Sequence, residues 1–185
     1  MTDAPQDLAS QDLATAYAAA ADPLSAVVAS ATDWDAASPC AGWSRADVLD
    51  HVISTQRDLF AGRGFALPDA RPVAADPVEA WTVHAEAVQR LLADPAVPAT
   101  EYDGYFGPTT LGRTLADYYL FDLVVHRWDL DGSTRFTEAE MDAVERSADL
   151  FGEGLRWEGV CGPAVPVPAD ADRQRRLLGR LGRRA

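Results

Sequence analysis

"YYLFDLVVHRWDLDG", residues 118–132, decides how this chain is read. Tyr118 to Val125 has the composition of a buried helix segment except for one residue, the carboxylate Asp122. Burying an ionised carboxylate without a partner costs several kcal/mol or forces it to keep its proton. Asp122 therefore requires a cation or hydrogen-bond donors. Residues four apart stack on one helix face, so His126 lies about 40° from Asp122 around the axis, and Asp129 follows on the same side. A D-x-x-x-H pair of this kind has metal-ligand spacing. On spacing alone, a metal pair and an i,i+4 ion pair both stay open.

Outward from this stretch, helical signals dominate. The fourth helix is expected from about Leu111 to Leu130, stopped by Asp131-Gly132. A first helix over 7–31 carries Leu13, Tyr17, Leu24, Val27 and Val28 on one face, with Pro23 as a kink or break. A second opens at "SRADVLDHVISTQRDLFAG", residues 44–62, with Ser44 as N-cap, Asp47 completing a capping box and Trp43 placed to staple onto Val48. Residues 62–75, rich in glycine, proline and alanine, have the length of a bundle crossover. A third helix from about Pro77 to Ala93 carries Trp81, Ala85, Val88, Leu91 and Leu92. A short strand pair is expected around Tyr102 to Thr109. Thr137, with Glu140 three residues on, caps a fifth helix ending near Gly152 or Gly154, and Asp170 or Asp172 caps a short terminal one. Amphipathic helices around one core make an all-α, antiparallel four-helix bundle with a long crossover.

The 185 residues fit one domain, 1–185, with about 162–185 packing on it as a C-terminal extension. Cys40 and Cys161 are too few and too far apart for a disulfide framework or a cysteine zinc site, which points to a reducing cytoplasm. The first thirty residues show no signal peptide and no expected membrane span. With 29 acidic and 16 basic side chains, all of the latter arginine, the surface repels phosphate backbones and argues against nucleic-acid binding. Six of the arginines fall between Arg173 and Arg184, a cationic tail on an acidic body. Such a tail reads either as a helix paired with acidic neighbours or as a docking patch. A homodimer through helix faces is compatible with the pattern, which has no exposed heptad requiring one.

A metal site needs a third ligand from elsewhere, and the chain has three histidines. His51, on the second helix, flanks the stripe of Val48, Val52, Thr55 and Leu59. His84, on the third, lies among Trp81, Val88 and Leu91. Each reads equally as a core histidine. Cys40 reads as a packed thiol, and Arg127 as one half of a surface ion pair.

Three segments, "SPCAGWSRADVLDH" (38–51), "FDLVVHRWDL" (121–130) and "GPAVPVPADADRQRRLLGRLGRR" (162–184), resemble the actinobacterial metal-binding proteins related to mycothiol-dependent maleylpyruvate isomerase. That family lies in the DinB-like superfamily of four-helix bundles. The resemblance implies a divalent metal, zinc before nickel or another ion, held by His51, Asp122 and His126. His84 matches no ligand position. In the isomerase the carboxylate is a glutamate, so aspartate here shifts or weakens the site. It also implies an open coordination position at which a thiol is activated for transfer to an electrophile or for isomerisation, with Asp129 either orienting a ligand or serving as a spare one. The partners implied are a low-molecular-weight thiol such as mycothiol and an electrophilic small molecule. Maleylpyruvate itself is not the expected substrate, because little chain follows the bundle. The catalytic residues stay unassigned. The alternative is a non-catalytic module that holds a ligand or partner, with Arg173 to Arg184 as its docking surface.

Overall fold

The structure is a computed structural model that describes residues 5–157 and 159–185. Four long helical rods form the bundle: α1 (Pro5–Ser30), α2 (Arg45–Ala61), α3 (Pro77–Leu92) and a composite of α4 (Leu111–Thr114), a π-helical turn (Leu115–Tyr119) and α5 (Leu120–Leu130). α1 packs on α3 and α5, and α2 packs on the same two, so α1 and α2 occupy opposite corners. Leu24, Val48, Val88 and Leu123, one from each rod, are fully buried and meet in the core. Burying each contributes roughly 1.5–3 kcal/mol.

Several local signals act as expected. Ser44 accepts a hydrogen bond from the backbone N–H of Asp47, and the Asp47 carboxylate accepts one from the N–H of Ser44, so α2 starts at a fixed residue. Thr137 and Glu140 form the same box at the start of α6 (Glu138–Phe151), which a 3₁₀ turn (Gly152–Arg156) extends. Asp172, rather than Asp170, caps α7 (Arg173–Arg180). β1 (Glu101–Gly104) and β2 (Gly107–Thr110) form an antiparallel hairpin with Tyr105 and Phe106 at its tip, and Gly107 takes the left-handed φ of 106° that this reversal needs.

Four expectations are corrected. α1 runs unbroken through Pro23, because the core contacts of Ala21 and Leu24 on either side outweigh one missing hydrogen bond. Its Leu13–Ser30 window reaches a mean hydropathy of 1.2 and is long and apolar enough to cross a membrane; here Leu13, Tyr17, Leu24 and Val28 are buried in the bundle. The rod from Leu111 to Leu130 is not uniformly α-helical: the π turn adds a residue to one turn and shifts the phase of everything after it. Arg127 is not a surface residue. It is 5% exposed, forks onto both carboxylate oxygens of Glu140 at 2.7 and 3.2 Å, and donates to the Arg135 carbonyl at 3.1 Å, which fastens α5 to α6.

Candidate metal centre and cleft

Below the π turn, α5 presents Asp122 and His126 on one face, toward His51 two turns into α2. Asp122 Oδ2 lies 3.7 Å from His51 Nε2, and its Oδ1 lies 3.8 Å from His126 Nε2. One ligand atom from each of the three residues falls within 4.8 Å of the others. Tetrahedral zinc with nitrogen and oxygen ligands holds donors about 3.4 Å apart, so a set whose ligand atoms lie within 4.8 Å of one another fits a divalent ion after the side chains close in by up to about 1.4 Å. Asp122 is not fully buried, as the apolar run suggested. Its side chain and that of His51 are each 23% exposed and face an open cleft of about 1760 Å³. Tyr118, Tyr119 and Asp122 itself are half-buried for the same reason: they form a cleft wall.

Asp129 lies behind this set, with no exposed side-chain surface. Its Oδ2 is 2.9 Å from His126 Nδ1. Arg183, from the turn after α7, grips the same carboxylate, Nε to Oδ1 at 3.2 Å and Nη2 to Oδ2 at 2.8 Å. Burial raises the Asp129 pKa, but hydrogen bonds and charge from His126 and Arg183 outweigh it and hold the group below the usual carboxylate range. An ionised Asp129 can only accept, so His126 Nδ1 carries a proton, and in the neutral ring Nε2 offers its lone pair toward Asp122 and His51. His51 is steadied from outside by Trp43, whose ring centroid is 5.0 Å away.

Cys40 also borders the site. The turn that carries it closes with Trp43 N–H donating to the Cys40 carbonyl at 3.0 Å, and Gly42 supplies the left-handed φ of 80°. Cys40 Sγ donates to Asp129 Oδ2 at 3.3 Å. Burial and the Asp129 charge push its thiol up to about 12. Cys40, His126 and Asp129 make a second group close enough for a metal. The Arg183 guanidinium 2.8 Å from the shared oxygen opposes a cation there, so the set of His51, Asp122 and His126 is the better site. Cys161 Sγ, 3.6 Å from Arg183 Nη1, is the other thiol on this guanidinium, and both cysteines are free.

His84 stays out of the site. It is buried, with Nε2 3.0 Å from Gln56 Oε1, which also accepts from the Tyr17 hydroxyl at 3.2 Å. Half of the six tail arginines are paired: Arg173 with Glu138, Asp142 and Glu145, Arg180 with Asp149, and Arg183 with Asp129. Carboxylates on α6 hold Arg173 and Arg180, whereas Arg175, Arg176 and Arg184 make no ion pair among the described residues, so part of the docking surface remains. Arg183 was missed as a site residue because it sits in a run of arginines. One signal marks it. Leu181-Gly182-Arg183 follows an eight-residue helix, and Gly182, at φ 85°, forms a Schellman reversal, with Arg183 N–H donating to Leu178 O at 2.9 Å and Gly182 N–H to Gly179 O at 3.1 Å. That reversal turns Arg183 inward.

No curated protein and no solved structure matches the chain. The family model of the mycothiol maleylpyruvate isomerase N-terminal domain matches residues 15–131, a span that holds His51, Asp122, His126 and Asp129 but not Arg183. The chain, a DinB-like helical bundle, belongs to the mycothiol maleylpyruvate isomerase N-terminal domain family.

Proposed function

We propose that His51, Asp122 and His126 hold a divalent metal, zinc before other ions, and that the protein is a metal-dependent thiol S-transferase or isomerase using mycothiol or a similar low-molecular-weight thiol. One observation carries this reading: the three donor groups converge where the bundle opens into a cleft, with Asp129 fixing the tautomer of His126 from behind. Two neutral imidazoles and one carboxylate form a three-ligand set of the kind that leaves a coordination position open. When bound, such an ion supplies Lewis acidity that brings a coordinated thiol's pKa toward neutrality.

The chain's own residues do the rest. Asp122 contributes the negative charge of the set. Asp129 and Arg183 form a closed ion pair, and Asp129 accepts from His126 Nδ1 and keeps the ring oriented. Cys40, half-buried and donating to Asp129, has its thiol pKa raised by burial and by that charge, which makes it a poor nucleophile. A reducing cytoplasm is the compartment that keeps such a thiol available.

The test is conjugation of mycothiol to a panel of electrophiles by zinc-loaded protein. The reading expects a rate well above buffer for at least one electrophile, and a return to the buffer rate with Asp122→Ala. No acceleration with any electrophile leaves a metal- or ligand-holding module instead.

A further inference from the structure

Among the described residues, five large apolar side chains are exposed: Val78, Tyr105, Phe106, Leu150 and Trp157. All but Val78 line the cleft that contains His51, Asp122 and His126. Scattered apolar residues on a surface need no explanation, but a contiguous set at the mouth of one cleft does.

Three separate segments build the set. The hairpin tip brings Tyr105 and Phe106, the π turn brings Tyr118, and the stretch after the 3₁₀ turn brings Trp157. Phe106 is nearly parallel to Trp157, with centroids 5.9 Å apart and planes at 14°, and to Tyr118, at 5.6 Å and 26°. Tyr105 leans on Trp157 at 4.8 Å. This is not a satisfied core: Tyr105 is 81%, Phe106 55% and Trp157 43% exposed. The rings rest on each other and leave flat faces in solvent. Aromatic faces of this kind take up planar ring systems by offset stacking.

The cleft is also too large for one small ligand. Single-ligand pockets run to roughly 300–1,000 Å³, against about 1760 Å³ here. His51, Asp122 and His126 line one part of its wall and the exposed aromatic rings another, with Arg113, Asp117 and Arg156 also on the lining. A two-substrate reaction needs such a division.

We infer that the wall of Phe106, Tyr118 and Trp157 is the subsite for the electrophilic substrate, and that this substrate carries a planar aromatic or conjugated ring. The inference rests on the proposed thiol reaction for the word electrophile, whereas the ring preference rests on the wall alone. Phe106 and Trp157 therefore act as specificity residues.

The experiment separates the two. Unreactive ring analogues, N-phenylsuccinimide and N-ethylsuccinimide, are titrated into the full chain by calorimetry, alongside a Phe106→Ala/Trp157→Ala variant checked for unchanged helicity. The expected result is N-phenylsuccinimide binding about ten-fold tighter than the ethyl analogue, as ring burial and stacking give, with the preference lost in the variant. Equal affinity for the two analogues, or a preference that survives in the variant, overturns the inference. So does sedimentation showing a dimer that the double substitution dissociates, because the wall is then an interface between two copies. If the ring preference holds but the zinc-loaded protein catalyses no conjugation, the proposed reaction fails and the subsite stands as a ring-binding site.

Discussion

Arg183 grips both oxygens of Asp129 across 54 residues of chain, and Asp129 in turn holds His126 Nδ1 at 2.9 Å. The C-terminal segment, outside the family match, thereby sets the orientation of a candidate metal ligand on α5. A buried, forked ion pair stores little net stability, but removing one partner strands the other charge in low dielectric. Arg183→Met should therefore destabilise the fold by about 3–5 kcal/mol, measured by urea unfolding. Zinc affinity, measured by chelator competition on the folded variant, should fall about 10- to 100-fold. An unchanged zinc affinity would make Arg183 a purely structural residue.

The position of Arg183 depends in turn on Gly179. A Cβ at this glycine would lie 2.6 Å from Val167 Cγ1 and 2.9 Å from the Val165 carbonyl, so the extended segment 165–167 can lie on α7 only because residue 179 has no side chain. The contact is sealed by Val165 N–H donating to the Gly179 carbonyl at 2.8 Å. Gly179→Ala should cost about 1–3 kcal/mol and weaken zinc binding in parallel. Adding Val167→Ala should restore part of the loss in a thermal melt, since one of the two clashes is removed.

His84 gives the bundle an acid sensitivity separate from the site. Burial, with a smaller contribution from the Arg57 charge, pulls its pKa down to about 3, and its Nδ1 is buried without a partner among the described residues. The unfolded chain takes up this proton near pH 6.5 and the folded chain only near 3, so stability is full above about 6.5 and falls as pH drops toward 3. The loss should reach a few kcal/mol. Urea unfolding between pH 7 and 4 should show a steep decline in wild type and a flatter one in His84→Leu. Parallel curves would mean the bundle opens around His84 before it charges.

Cys40 should be a slow thiol. With its pKa raised to about 12 by burial and by Asp129, the thiolate fraction at neutral pH is at least about 100-fold below that of a free cysteine. Alkylation by iodoacetamide at pH 7.5, followed by peptide mass spectrometry, should be slower by a similar factor. Labelling of Cys40 at the rate of free cysteine would contradict the closed ion pair beside it.

What the sequence discloses depends on how local the cause is. The start of α2 is set by Ser44 and Asp47, three residues apart, and so is the face that carries His51. Asp122 and His126 share a face by helical period alone. The π turn has no such signature: "LADYY" contains neither glycine nor proline, and its Tyr118 packs between Phe106 of the hairpin and Phe151 of α6 only in the folded chain. Its result, a carboxylate facing a cleft and not a core, could not be read from the apolar run. Tyr105 and Phe106 sit between glycines and look like ordinary turn residues, because Trp157 meets them only in the folded chain. Arg183 is one arginine among six until the fold delivers it to Asp129.

The central claim is that His51, Asp122 and His126 form a metal site, and the most direct test is metal content. Untagged protein purified without chelator, wild type beside Asp122→Ala, is analysed by inductively coupled plasma mass spectrometry before and after incubation with zinc. The account predicts near one equivalent of zinc or another divalent ion in the wild type and its loss in the variant. No metal in the wild type even after incubation would make the three residues a loose ionic cluster on the cleft wall, and the proposed thiol chemistry would have no centre.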